Sequence, residues 1–466
     1  MIIGGKAKVN GEMQKRVALH NLGCKVNSYE TERMTQDFRR AGYEIVPFTQ
    51  PADICIVNTC TVTQIADKKS RQMLRRARRA NPEAVVVATG CAVETDGAPI
   101  PDVDLFVGNL DKGRIVEIVE EYLATGQGRE IRRMPRDPVP YAADGCGSAL
   151  TDKTTTTRGF LKIQDGCDQF CSYCIIPYAR GRIRSRDPGD TLREIRSLAE
   201  QGVQEIVLNG IHLSSYGQEK SPAGSFDAKP LLDLIRECAE IPGVKRIRLG
   251  SLEPRLITKD TARAFAQIPS LCPHFHLSLQ SGCDATLKRM NRHYTSARYA
   301  ESVAALREAY DRPAITTDVI TGFPGETEQE FEETLRFLKD LRLYEIHVFP
   351  YSVRPGTVAA SLPGQIRRAE KERRSAVLLA LTAEQAHTYR ESFLGEGLDV
   401  LLEEEEEIAG MRYIIGHTER YVRAAVRIGD PAGVPAGTDA RNTFVRGDAG
   451  GFLTDDTILL DAPHEV

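Results

Sequence analysis

The chain has 466 residues, a formal net charge of −4 and eleven cysteines, with 41% apolar and 27% charged residues. That length exceeds one ordinary core, so two or three domains are expected, with the composition of a soluble globular protein. The charge excludes a uniformly basic polyanion binder. Any nucleic-acid contact must come from local patches, because residues 68–79 are strongly basic while 403–407 are five consecutive glutamates. No apolar run approaches the roughly 20 residues that span a bilayer, so no membrane association is expected. "MIIGGKAKVN" at the start lacks the apolar stretch and cleavage site of a secretory leader, which predicts a cytoplasmic chain. Thiols stay reduced there, so the cysteines point to metal or redox chemistry and away from disulfides.

In chain order, "VALHNLGC" (17–24), "ADICIVNTC" (52–60) and "AVVVATGC" (84–91) are β-branched-rich runs, each ending in a cysteine after a turn-former. Helix-compatible stretches at 29–41 and 66–80 separate them. Alternating runs of this kind predict a parallel sheet, whose strands all end at one edge. Cys24, Cys60 and Cys91 are therefore expected to converge there. Residues 126–157 gather Gly, Pro and Thr and read as a linker, with Cys146 an incidental exposed thiol.

Six strand–helix repeats follow. The strands are expected at 160–166, 204–210, 245–251, 274–280, 314–321 and 344–351, with helices near 190–202, 230–241, 258–268, 294–309 and 327–341. Six units are too few to close an eight-stranded barrel, so an open, partial (β/α)6 barrel is expected. A long helix over 365–393 leads to "LDVLLEE", "RYIIGHT", "YVRAAVRI" and "FLTDDTILLD", which predict a small antiparallel β-barrel of the kind that holds RNA.

The decisive stretch is "KIQDGCDQFCSYC" (162–174), with Cys167, Cys171 and Cys174 at four- and three-residue steps. Structural zinc and ferredoxin-type clusters take four protein ligands. Three thiols in one loop leave one iron of a 4Fe–4S cluster open to a substrate. Catalytic zinc also uses three protein ligands, but short zinc motifs come as pairs two residues apart. None of the nine histidines forms a convincing metal pair or triad by spacing, although His274 and His276 alternate on one strand.

CxxxCxxC after the first strand of a βα repeat resembles the radical S-adenosylmethionine (radical SAM) superfamily. With "LGCKVNSYETE" (22–32), "NTCTVT" (58–63), "TGC" (89–91), "GCDQFCSYCIIPYARG" (166–181), "HLSLQSGCD" (276–284) and "GFPGET" (322–327), the chain resembles the methylthiotransferases from about residue 16 onward. "AVETDG" after Cys91 departs from the family's usual aromatic or Ala–Gln stretch. The resemblance implies an α/β fold with a cluster domain over 16–125, a radical SAM domain over 158–393 and an RNA-binding TRAM barrel over 394–462. It implies two 4Fe–4S clusters, held by Cys24, Cys60 and Cys91 and by Cys167, Cys171 and Cys174, and S-adenosylmethionine as co-substrate. The start, the NTCTVT loop and "IVLNGIHLSSYG" (206–217) most resemble the branch that acts on threonylcarbamoyladenosine in tRNA. Other branches act on isopentenyladenosine in tRNA or on a ribosomal-protein aspartate. A non-catalytic iron–sulfur RNA-binding protein is the reading from another class.

Tyr173, Glu253, Ser278 and Gln280 stand where S-adenosylmethionine or substrate is expected, each with a structural role as the alternative. Lys68, Arg71, Arg75 and Arg79 form a basic helix stripe suited to tRNA phosphates, and Arg420, Tyr421, Arg423 and Arg427 interleave aromatic and basic groups as RNA platforms do. "RGRIRSR" (180–186) offers further arginines to RNA or to the carboxylate of S-adenosylmethionine. The expected partners are tRNA and an electron donor such as a flavodoxin or ferredoxin, and the expected state is a monomer.

Overall fold

Runs such as Ile54–Thr59 are buried along their whole length, and helical crossovers between them require parallel pairing. In the computed structural model, residues 8–9, 12–95, 100, 102–128, 133–141, 157–219, 221, 226–429, 434, 437 and 439–466 are described. Cys146 lies outside them. The chain divides into two compact units, the first comprising residues 1–151, 161–190 and 352–361 and the second 152–160, 191–351 and 362–466.

In the first unit the sheet order is Glu44–Ile45, Arg16–Asn21, Ile54–Thr59, Val85–Gly90 and Leu105–Val107, parallel throughout. The three central strands are those expected. The two edge strands have two and three residues, too short to carry a periodic signal. Register fixes where the strands end, because Asn21 pairs with Asn58, Asn58 with Thr89 and Thr59 with Gly90. Cys60 and Cys91 thus leave the sheet at one edge, and Cys24 is the N-cap of helix Lys25–Arg40.

Gly90 has φ +97°, and a Cβ there would lie 2.4 Å from the Thr59 carbonyl oxygen. Gly90→Ala is expected to destabilise the first unit by about 2 kcal/mol, read as a lowered thermal transition. An unchanged transition would contradict this close approach. Part of the linker is also tied down, since Met134 N–H donates to the Glu94 carboxylate (2.8 Å) and Tyr141 Oη to the Lys162 carbonyl (3.0 Å).

In the second unit, strands Glu205–Gly210, Arg246–Leu249, His274–His276, Ala314–Thr321 and Glu345–Pro350 form a parallel series, with single bridges joining the second strand to the third. Among the described residues the last strand pairs only with its predecessor, so the series is open, as expected. A sixth strand, Arg158–Asp165, begins in the second unit and ends in the first. The strand expected over 274–280 is continuous only to His276, and beyond it Leu277 and Gln280 make single parallel bridges to Leu252 and Val319, with Gln280 at φ +73°.

Helix Arg368–Glu391 leads to a closed barrel of Gly397–Ile408, Met411–Thr418, Arg423–Arg427, Phe444–Thr454 and Thr457–Glu465. Its core is aliphatic, with Val400, Leu402, Ile414, Val426, Ile458 and Leu460. Two details differ from expectation. Arg423–Arg427 runs parallel to Thr457–Glu465, and "FLTDDTILLD" is two strands joined at Asp455–Asp456. Glycines at 447, 450 and 451 erase the alternation that marks Phe444–Thr454 as a strand. The barrel is fastened to the parallel series by two arginines. Arg246 donates to the carbonyls of His417 (2.9 Å) and Asp399 (2.8 Å), and Arg248 to those of Glu419 (3.0 Å) and Thr418 (3.2 Å).

Candidate functional site

Sheet register brings the first three cysteines together. A Cβ on Gly23 would lie 2.8 Å from Cys60 Cβ and 3.0 Å from its Sγ, so only glycine lets the loop carrying Cys24 approach so closely. Cys60 and Cys91 are buried and Cys24 is exposed, all as free thiols. Burial pushes the Cys60 thiol up to about 11, and negative charge on Cys91 and Cys24 adds to that rise. Burial raises Cys91 too, against the pull of Arg180 and Lys112. Three mutually interacting thiols flanked by fixed cations form a donor set suited to a metal cluster, because the thiolate is the ligand form.

The second cysteine loop belongs to the same compact unit. Gly166, at φ +74°, packs so tightly that a Cβ would lie 1.9 Å from the Arg182 carbonyl oxygen. Cys167 N–H donates to Gly181 O (3.1 Å) and Cys174 N–H to Cys171 O (2.9 Å). Phe170, between Cys167 and Cys171, takes the left-handed conformation at φ +46°. Ala359 N–H braces the loop by donating to Ser172 O (2.7 Å). All three cysteines are half-buried.

A buried ion network links the loop to the first site. Glu30 accepts from Arg180 (2.8 Å), Lys162 (2.9 Å) and Lys112 (2.5 Å). Asp165 accepts from Arg184 (2.7 Å), Arg180 (3.2 Å) and Lys162 (3.3 Å). Arg180, with no solvent exposure, also donates to Asn27 Oδ1 (2.6 Å). Two carboxylates thus face four cations, and the positive excess lies beside the thiols, where anionic charge compensates it. The Arg180 Nε–H is buried without an acceptor, which an anionic group at the cysteines would relieve. Both cysteine sets therefore fit iron–sulfur clusters. The arginines of 180–186, expected at RNA or at the carboxylate of S-adenosylmethionine, in part serve the protein's own carboxylates, Arg180 pairing with Glu30 and Asp165 and Arg184 with Asp165. Arg180, Arg184 and Arg186 are buried, and Arg182 alone among these arginines is half-buried, its guanidinium over the Phe170 ring at 5.0 Å.

The other expected residues fall in varied places. Lys68, Arg75 and Arg79 are exposed on helix Gln64–Ala80, and Arg71 pairs with Asp67 (3.0 Å). Their spacing puts them on one stripe, opposite the buried Leu74 and Ala77. In the barrel, Tyr421 is already covered. Its ring stacks on His417 and His274 at 4.5 and 5.1 Å, with the Arg248 and Arg158 guanidiniums at 4.8 and 5.3 Å. Arg420 donates to the carbonyls of Arg312 (3.2 Å) and Asp311 (3.1 Å), and Arg423 to Glu406 (2.5 Å). These three hold the second unit together and present no free stacking platform. Arg427 is exposed.

Glu253 is closed to solvent at 2% exposure. Burial alone would raise its carboxyl, but hydrogen bonds from His212 and Arg255 hold it down to about 2. Its carboxylate is thus already engaged. Ser278 accepts Tyr294 Oη at its carbonyl (2.5 Å) and is half-buried. Gln280 is buried in the left-handed turn that ends its strand, and Tyr173 is half-buried in the cysteine loop. Cys55, Cys238, Cys272 and Cys283 are buried core side chains, as expected.

Residues 161–338 match the radical SAM superfamily, and 16–108 match a family described as "Uncharacterized protein family UPF0004". The chain is 40% identical over 421 residues to the threonylcarbamoyladenosine tRNA methylthiotransferase MtaB of Bacillus subtilis (strain 168), covering 88% of this chain and 90% of that one. The chain belongs to the radical SAM methylthiotransferases. An Aquifex aeolicus (strain VF5) relative of the same name is 37% identical, over 87% of this chain and 97% of its own. A tRNA-2-methylthio-N(6)-dimethylallyladenosine synthase of Desulfosudis oleivorans is 35% identical over 87% of each. Among solved structures, the radical S-adenosylmethionine methyltransferase TsrM from Kitasatospora setae, with cobalamin and a [4Fe-4S] cluster bound, gives a TM-score of 0.54. It is 15% identical and covers 75% of this chain and 74% of that one, a likeness of fold alone. For this methylthiotransferase the co-substrate is S-adenosylmethionine and the cofactors are two 4Fe–4S clusters. Among the described residues no helix is long and apolar enough to cross a membrane.

Proposed function

We propose that this chain inserts a methylthio group at C2 of N6-threonylcarbamoyladenosine, beside the anticodon at position 37 of tRNA. The observation that carries this reading is a pair of three-cysteine sites within one compact unit, in a chain whose relatives at 40% and 37% identity bear that activity in their names. Cys167, Cys171 and Cys174 would hold one cluster and Cys24, Cys60 and Cys91 the other. When bound, the clusters supply one-electron cleavage of S-adenosylmethionine and delivery of sulfur.

The chain's own residues prepare these sites. Lys112 and Arg180 offset negative charge at Cys91, while Gly23, Gly90 and Gly166 permit the close loop approaches. The exposed stripe of Lys68, Arg75 and Arg79 supplies phosphate contacts. An electron donor such as a flavodoxin or ferredoxin completes the system, and the chain works as a cytoplasmic monomer.

The test is anaerobic incubation of the cluster-reconstituted chain with S-adenosylmethionine, a reductant and unmethylthiolated tRNA. It should yield 5′-deoxyadenosine together with the methylthiolated nucleoside. Clusters that serve structure alone would yield neither. Joint replacement of Lys68, Arg75 and Arg79 by alanine should weaken tRNA binding and reduce the magnitude of the log K against log salt slope by roughly 2–3. An unchanged slope would remove the stripe from the tRNA interface.

A further inference from the structure

Three neighbouring strands of the second unit bring together His276, Asp318 and His347, which no short sequence spacing connects. Pairing sets Asp318 level with His347 and His276 level with Thr316, two residues before Asp318 on the same sheet face. His276 Nε2 lies 3.3 Å from one Asp318 carboxylate oxygen and His347 Nδ1 lies 3.2 Å from the other. One donor atom from each of the three residues lies within 4.8 Å of the others. The imidazoles stack at 22° with centroids 5.3 Å apart, so both edges face the same carboxylate.

We infer that His276, Asp318 and His347 form a binding site for a divalent metal ion of the zinc class, separate from the six cluster cysteines. Two imidazoles and one carboxylate are the donor types that borderline metals prefer. The far nitrogen of His276 has a hydrogen-bond partner, and that of His347 has an acidic neighbour. Thr316 Oγ1 lies 2.9 Å from His276 Nδ1, and a Glu345 carboxylate oxygen lies 3.8 Å from His347 Nε2. Such outer partners orient a metal-ligating histidine and fix which nitrogen faces the ion. With Asp318 and Glu345 both acidic, the cluster's charge favours a cation. Three protein donors leave at least one coordination position for water or a substrate oxygen, unlike a closed structural site.

Zinc itself is the probe, added to the full-length chain with both clusters reconstituted and loosely bound metal removed by a mild chelator. After gel filtration, elemental analysis should find about one zinc per chain beside the cluster iron. His347→Ala and Asp318→Asn should lose that zinc and keep the iron. Because His347 is exposed, its replacement leaves the fold intact, and unchanged iron content and circular dichroism would verify this. Zinc retained equally by both variants, or no zinc retained by the parent, would overturn the site. The carboxylate would then be bridging the two imidazoles by hydrogen bonds alone.

Discussion

Glu30→Ala is expected to destabilise the first unit by about 3–5 kcal/mol, the largest stability effect of any single substitution at the cysteine sites. It removes the carboxylate that faces Arg180, Lys162 and Lys112, so the network keeps four cations and the single carboxylate of Asp165, which pairs with Arg184, Arg180 and Lys162. Glu30→Gln keeps the shape and isolates the charge. Burial alone would raise the Glu30 carboxyl, but Arg180, Lys112 and Lys162 outweigh it and hold the group well below its ordinary 4.5. A carboxyl lowered on folding contributes fully above the unfolded value and loses that contribution as pH falls toward the folded one. The stability gap between the parent chain and Glu30→Gln should therefore be complete at pH 7 and shrink below about pH 4.5. Urea unfolding at pH 7, 5 and 4 reads this directly. A gap that is absent, or that widens on acidification, would contradict the network.

Cys167→Ala should abolish S-adenosylmethionine cleavage, whereas Cys24→Ala should spare cleavage and block methylthio transfer. Cys24 suits the second substitution because it is exposed and caps its helix without a side-chain hydrogen bond, so alanine there changes the donor set and little else. Each variant should lose about half of the iron of the reconstituted parent. The readouts are 5′-deoxyadenosine and the methylthiolated nucleoside, measured in one reaction. If both variants transferred the group normally, the division of labour between the two sites would be wrong.

The two cysteine sets were legible because each follows from a local rule. Strand ends in a parallel sheet share an edge, which gathers Cys24, Cys60 and Cys91, and one loop carries Cys167, Cys171 and Cys174. The ion network was not legible, since Arg180 and Glu30 are 150 residues apart and nothing in either neighbourhood names the other. Arginine-rich "RGRIRSR" looks the same whether it faces phosphate or a buried carboxylate. Tyr421 shows the same ambiguity: interleaved rings and arginines mark an RNA platform and an internal cation–π stack alike, and its ring has Arg158 and Arg248 beside it. The His276–Asp318–His347 cluster depends on register between strands, which alternation within a strand cannot supply.

The most direct test of the substrate uses cells that lack their own threonylcarbamoyladenosine methylthiotransferase, complemented with this chain or its Cys60→Ala form. Mass spectrometry of digested tRNA should show methylthiolated threonylcarbamoyladenosine restored by the parent chain and absent with Cys60→Ala. A methylthiolated isopentenyl nucleoside in its place, or tRNA left unchanged by the parent chain, would contradict the proposed function.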